Sequence, residues 1–415
     1  MSGTSMASMA WRNLWRNRRR TLVTLSSIAF VVMLAVLFTG LGDTTYGDMI
    51  DLAARMGGGH VTIQHAEYFD TPSLKRTVAN AEALREIARQ DPDVVRTASR
   101  ISGQTMLATA GNSYGAFFIA IDPEQEDEQT LSVLEAVTEG ELFAESKDKG
   151  IVLGARLAEN LKVKLGRKVV YTMTDKSGEI VSGLARVKGI VRTGSPSLDG
   201  GLVLLPIDTM REFLGYGPDE ATQVAVFIDD QRRSSQIAAR LGQSVGDDEA
   251  VVPWHEAQPE LAGFIDMKVA GTTFFEIIIA IIVAAGIFNT LFISVMERLR
   301  EFGIMMAIGF SPGRLFRLVM WESLWLGLVG LVVAAAVTSG PYYYLNTSGL
   351  DVSAMVGEGG TEVAGVGIEP IMYVGIYFEH AVAIACAALL ATIVSGLYPA
   401  LRAGRVVPVE SIKLV

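Results

Sequence analysis

Four stretches of this chain run for 20 or more residues without a charged side chain, and they restrict its possible folds more than any other feature. There are 22 such residues between Arg20 and Asp43, 20 between Glu276 and Glu297, 28 between Glu322 and Asp351, and 21 from Ala381 to Leu401. A helix rises about 1.5 Å per residue, so about 20 residues cross the roughly 30 Å hydrocarbon core of a bilayer. Buried helices of water-soluble proteins rarely stay uncharged for so long. The sequence therefore predicts four transmembrane helices, roughly 21–42, 272–296, 318–344 and 379–401. Charged residues make up 19% of the chain, against about 25% in an ordinary soluble domain, as such a concentration of apolar segments requires.

The first run follows several arginines, as the apolar part of a secretory leader does. At 22 residues it exceeds the roughly 7–15 of a leader, and no convincing small-residue cleavage site follows, so it reads as a retained anchor. Ahead of it, "MAWRNLWRNRRR" sets Trp11, Leu14 and Trp15 at i, i+3 and i+4, with Arg12, Arg16 and Arg19 mostly elsewhere. That is the pattern of a cytoplasmic interfacial helix within 1–20. Arg12, Arg16, Arg18, Arg19 and Arg20 precede the first run, Arg298, Arg300, Arg314 and Arg317 follow the second, and Arg402, Arg405 and Lys413 follow the fourth. Between the third and fourth, Leu345 to His380 holds no Lys or Arg but has Asp351, Glu358, Glu362, Glu369 and Glu379. The positive-inside tendency places both termini, the 297–317 loop and the 402–415 tail in the cytoplasm. Segments 43–267 and 345–378 then lie outside.

The long outer segment holds 35 acidic and 22 basic residues, a net of −13 against −10 for the whole chain, so the remainder carries +3. An acidic outer domain argues against nucleic acid as a partner. Cys386, the single cysteine, lies in the fourth run and allows no intrachain disulfide. His60, His65, His255 and His380 lack metal-ligand spacing, with His60 and His65 expected on opposite faces of a strand, so no metal site is expected. Segments such as "GHVTIQHAEYF", "GNSYGAFFIAID" and "TQVAVFIDD" read as strands, and "NAEALREIARQ" and "RRSSQIAARLGQSVG" as helices, giving a mixed α/β domain. In "IVLGARLAENLKVKLGRKV", Leu157, Leu161 and Leu165 share the face of a helix that Gly166 is expected to end. No phosphate-binding loop appears, since "RMGGGH" lacks the lysine and the spacing, and there is no nucleophile elbow or Ser/His/Asp set. The chain is therefore expected not to be an enzyme and to bind no cofactor. Any ATP would be hydrolysed on another chain.

Between the second and third runs lies "ERLREFGIMMAIGFSPGRLF". Glu297 with Arg300, and Arg298 with Glu301, are i, i+3 pairs that support a helix. Leu299, Phe302, Met305 and Met306 form an apolar side, and Gly309 with Ser311-Pro312-Gly313 stops the helix. Such a segment suits a groove on a partner, although a plain interfacial loop fits these residues equally well.

The stretch "MERLREFGIMMAIGFSPGRLFRLVMWESLWLGLVG" resembles the motif of the ABC-transporter permeases of the FtsX/MacB/LolC-LolE group, through Glu297, Arg298, Arg300, Glu301, Gly303, Ala307, Gly309, Glu322, Gly327 and Gly330. The ending "GLYPALRAGRVVPVESIK" is similar to that group's through Tyr398, Pro399, Ala400, Ala403, Pro408 and Glu410. "IVLGARLAENLKVKLGRKV" resembles its extracytoplasmic motif, with Arg167 where aspartate is usual. The resemblance implies a MacB-like porter/sabre domain between transmembrane helices 1 and 2, in a bacterial inner membrane. It implies that 297–313, with Phe302, Met305 and Met306 on its apolar side, is a coupling helix docking on a dimeric ATPase subunit that holds ATP and Mg²⁺. It implies a second permease, identical or homologous. The absence of a fused ATPase domain, the size of the outer domain and the layout are closest to LolC/LolE, although "WRNLWRNRRRTLVT" is not their usual opening. In that branch the substrate is a lipoprotein extruded from the outer leaflet by mechanotransmission, passed to a periplasmic carrier. MacB-like export of another amphiphile through an adaptor, or FtsX-like signalling to a cell-wall hydrolase, is the alternative. An outward cavity lined by Met33, Leu37, Leu41, Phe274, Ile278 and Ile281, open to membrane lipids, is the expected acyl site. Asn289 is expected to hydrogen-bond between helices, with a contact to substrate as the alternative.

Overall fold

A computed structural model of the chain describes residues 3–356, 361–363, 366–368 and 370–405. Pro408, Glu410, Lys413, Glu358 and Glu369, invoked above, lie outside the described residues. The chain divides into two compact units, residues 1–45, 267–350 and 371–415 in one and 46–266 with 351–370 in the other.

Three of the uncharged runs fall inside longer helices, Arg18–Met56, Pro259–Glu297 and Phe378–Gly404, and the third run overruns its helix, Pro312–Ser348, by two residues. All four are long and apolar enough to cross a membrane. A shorter helix, Gly3–Leu14, precedes them, so Trp15 falls in the following turn and Arg18–Arg20 open the first spanning helix. This helix rests on the third span. Met6 and Ala10 are buried, the Trp11 ring meets Trp325 edge-on at 5.1 Å, and Trp325 Nε1 donates to the Ala7 carbonyl at 3.2 Å.

The bundle core joins Leu25, Ile28 and Val32 of the first span to Ile287 and Leu291 of the second and Leu326 and Ala334 of the third. Small residues set how closely helices approach where lipid offers no hydrophobic drive. A Cβ on Gly330 would lie 2.9 Å from Ile28 Cγ2, and one on Gly327 would lie 2.7 Å from Leu389 Cδ1. Asn289 sits on the exposed face of the second span. Between the second and fourth spans a hydrogen bond is made by Ser395 Oγ, which donates to the Ala284 carbonyl at 3.0 Å. A serine on the fourth span, whose hydroxyl also reaches Ala391 of its own helix, therefore fills the role expected of Asn289.

The second unit is built on ten strands: β1 (Val61–His65), β2 (Val94–Ala108), β3 (Ser113–Ile121), β4 (Val137–Gly140), β5 (Gly150–Gly154), β6 (Lys168–Thr174), β7 (Ile180–Val191), β8 (Leu202–Pro206), β9 (Gln223–Ile228) and β10 (Glu249–Pro253). Their order is β10-β1-β9-β2-β3-β8-β5-β7-β4, and β6 bridges β2 and β7. The pairings β2-β3-β8-β5-β7-β6-β2 therefore close a ring, while β10 and β4 remain as edge strands. The 15-residue β2 serves both halves of the unit: its start pairs with β9 and its end with β3 and β6.

Two sequence expectations change here. The helix beginning at Ala155 ends at Leu161, because Lys162 turns left-handed (φ 52°) and the next amide closes on Ala158 O at 3.0 Å. Leu165 is consequently exposed, and Gly166 serves the turn before β6. His60 precedes β1 rather than sharing it with His65. It is a satisfied core histidine, with Nε2 2.8 Å from Asp51 Oδ1 and Nδ1 accepting from the Ile228 amide at 3.2 Å.

The "RMGGGH" stretch ends the helix that began as the first span. Gly59 has φ +85°, and a Cβ there would stand 2.5 Å from the Val226 carbonyl oxygen, so only glycine fits. The last carbonyls of a helix lack partners and carry partial negative charge. Here a fully buried arginine of β2 meets them: Arg100 Nη1 donates to the carbonyls of Arg55 (3.3 Å) and Gly57. Its other nitrogens hold Glu126 at 2.7 and 2.9 Å, and Nη2 also donates to Thr130 O at 2.7 Å. Within the same unit, Met49, Ile50 and Ala53 of that helix pack against Leu261 and Ile265, in the opening turns of the helix that becomes the second span.

Residues 351–370, part of the expected 345–378 loop, cluster with this unit. Glu362 accepts from the Ser195 hydroxyl at 2.9 Å, the Ser197 amide at 3.2 Å and the Ser197 hydroxyl. Burial alone would raise its carboxyl, but the two serines hold it below the ordinary glutamate value.

Candidate functional site

Between the second and third spans the chain forms the helix Leu299–Ala307, and Gly309 (φ +100°) breaks the backbone before Pro312 opens the third span. Its burial reveals which side faces out. Phe302 is fully buried against Val295, Leu315, Val319, Ala400 and Ala403, and Met305 and Met306 lean on the same cluster. The apolar side expected to meet a partner is thus largely occupied by the chain itself. The exposed ridge consists of Arg300, Ile304, Ala307, Ile308 and Gly309, with Ile304 48% and Ile308 74% exposed.

The charges are equally divided. Arg298 is buried, and its Nη1 donates to both Glu322 oxygens at 3.0 Å. Glu322 also accepts from Asn13 Nδ2 at 2.7 Å, and the Arg298 guanidinium lies 5.1 Å from the Phe302 ring centre. The glutamate and glycines of the third-span motif therefore have separate uses: Glu322 anchors the connecting helix, while Gly327 and Gly330 admit neighbouring spans. Glu297, the last residue of the second spanning helix, pairs with Arg20 rather than with Arg300. Glu301 pairs with Arg16 at 3.0 Å and Arg298 at 3.3 Å. Burial would raise the Glu301 carboxyl, but the arginines outweigh it and hold it below the usual glutamate range. Its pairing is thus present above the unfolded-state value and lost only as pH falls through the lowered one. A polar pocket of 350 Å³ lies among Asn13, Arg16, Arg20, Glu297, Arg298 and Glu322.

The residues expected to line an acyl site are arranged differently from one another. Phe274, Ile278 and Ile281 are exposed on the second span, and Met33, Leu37 and Leu41 are half-buried on the first. Met33 borders a shallow groove with Leu22, Phe30 and Val337. None of the six lines the 530 Å³ cavity that lies, open at the side, among the first, second and fourth spans. That cavity borrows the other side of each helix, including Val31, Phe38, Phe275, Ala280 and Ala388. Sequence reasoning passed over Ile304 and Ile308, which differ from Met305 and Met306 only in the side they face. The available signal was helical phase: with Phe302 buried, positions 304 and 308 fall on the opposite side.

The profile of the MacB-like periplasmic core domain matches residues 21–244, more than half of the chain, and that of the FtsX-like permease C-terminal region matches 273–408. The chain is 23% identical to the lipoprotein-releasing system transmembrane protein LolE of Haemophilus influenzae, over 97% of each chain. It is 23% identical to LolC of Xylella fastidiosa, a protein of the same system, over 93% of this chain and 94% of the relative. Among solved structures it is similar to the periplasmic region of MacB from Actinobacillus actinomycetemcomitans, with 17% identity and a TM-score of 0.34 over 50% of this chain and 94% of that one.

Proposed function

This chain belongs to the ABC-transporter permeases with a MacB-like periplasmic core domain and an FtsX-like C-terminal region, and from that premise we propose that it extrudes lipoproteins from the outer leaflet of the bacterial inner membrane. A partner ATPase dimer binds ATP and Mg²⁺ and docks on the Arg300–Ile304–Ile308 ridge. Both termini are cytoplasmic, and the α/β unit is periplasmic. The observation that carries the lipoprotein reading is the end-to-end similarity to two lipoprotein-releasing proteins, which spans both units rather than one.

The mechanism needs no channel. A second permease, identical or homologous, faces the first and second spans across an outward cavity, where Leu37, Ile278 and Ile281 offer an apolar wall. Each methylene moved from hydrocarbon to water costs about 0.8 kcal/mol, so withdrawing several acyl chains requires energy on the scale of ATP hydrolysis. The first spanning helix is unbroken from Arg18 to Met56, with Arg100 gripping its far end, and this continuity supports mechanical transmission. A carrier or adaptor then takes the released lipoprotein.

A photo-crosslinker at Leu37 or Ile278 tests the site. Before ATP is added it should trap an acylated protein, and after ATP the adduct should fall. Adducts confined to an unacylated peptide or a drug would replace lipoprotein release with MacB-like export.

A further inference from the structure

The side-open cavity of the bundle contains one ionisable side chain, Glu276, in a mostly apolar lining that includes Ile28, Val32, Phe275, Val283 and Ile287 beside Thr272, Thr273 and Thr392. Glu276 Oε1 accepts a hydrogen bond from Thr39 Oγ1 at 2.7 Å. A carboxylate has about four acceptor positions, so this single hydroxyl leaves room for a multi-donor cation.

Position along the helices defines the occupant further. Glu276 and Thr39 sit at the ends of their spans away from Arg298 and Arg20, while Ile287 and Ile28 mark the inner end of the cavity. Each pair is 11 residues apart (287 less 276, and 39 less 28). At about 1.5 Å per residue that is roughly 16 Å, about half of a ~30 Å hydrocarbon core and hence the depth of one leaflet. Phe38, Phe275 and Ile277, which border the cavity, are exposed on the bundle surface, so hydrocarbon can enter from the side. The 530 Å³ volume falls within the range of sites for a single small ligand.

We propose that this cavity holds a membrane aminolipid, its ammonium on Glu276 and one acyl chain running inward to Ile287 and Ile28. The site lies within one permease and on different side chains from the expected acyl wall of Leu37 and Ile278. The carboxylate selects the headgroup, since an ammonium gains a charge-assisted hydrogen bond there and an anionic headgroup is repelled.

The test is native mass spectrometry of the full-length protein in mild detergent, equilibrated with equal amounts of phosphatidylethanolamine and phosphatidylglycerol. The wild type should retain one phosphatidylethanolamine per chain in preference to phosphatidylglycerol. Glu276→Gln should weaken that retention roughly tenfold, the scale of one charge-assisted contact, and leave phosphatidylglycerol unchanged. Ala280→Trp keeps the carboxylate and fills the cavity, and should expel the bound lipid even if the first variant folds poorly. Equal retention of the two lipids by the wild type, or wild-type retention by either variant, would overturn the proposal.

Discussion

Aspartate at both Ile304 and Ile308 should abolish recovery of the partner ATPase with the permease while leaving the permease in the membrane. The two side chains are exposed on the helix between the second and third spans, whose attachment is made by other residues: Phe302 in its apolar cluster and Arg298 on Glu322. Changing exposed positions away from such anchors usually alters stability by less than about 0.5 kcal/mol. On the partner side the effect is large. Central apolar anchors of an interface are worth about 2–4 kcal/mol each, and an unpaired carboxylate in their place adds a desolvation cost. Two such losses weaken binding by more than about a hundredfold. The measurement is co-purification from membranes through a tag on the permease, normalised to permease recovered. Full ATPase recovery with the double variant would mean that the ridge faces headgroups and that docking lies elsewhere.

Arg100→Met should be the most damaging single substitution in the α/β unit. It strands Glu126, whose side chain is fully buried, and releases the carbonyls of Arg55 and Gly57. Breaking a buried pair by removing one partner costs about 3–5 kcal/mol, whereas replacing both by apolar groups is often near neutral. The pair Arg100→Met with Glu126→Leu should therefore recover most of the thermal stability lost by the single variant. It does not restore the grip on the helix end. In the reconstituted transporter the double variant should hydrolyse ATP yet release substrate poorly. If it releases as the wild type does, the Arg100 contact serves folding alone.

The four spans were legible because bilayer thickness imposes a length that composition reveals directly. The connecting helix was legible too, from the Arg298–Glu301 pair and the Gly309 stop, but its orientation was not. Whether Phe302 or Ile304 faces outward depends on Leu315, Val319 and Ala400, residues of two other helices. β2 gave little signal because Thr97, Ser99, Arg100 and Thr105 are buried along it, which obscures polar/apolar alternation. Arg100 itself looks like any surface arginine until Glu126, Thr130 and the end of the first spanning helix converge on it. Glu276 marked the edge of an uncharged run, and only the packing of three spans turns it into the wall of a cavity.

The most direct test of the transport role is ATP-driven release from proteoliposomes containing this permease, its partner permease and the ATPase, loaded with a fluorescent triacylated lipoprotein and an unacylated copy of the same protein. Addition of ATP with Mg²⁺ and a soluble carrier should move the acylated protein into the carrier fraction, in amounts that fall with the Ile304/Ile308 double aspartate variant. Continued ATP turnover with the lipoprotein left in the bilayer would contradict lipoprotein extrusion, all the more if the unacylated protein or an added amphiphilic drug is moved instead.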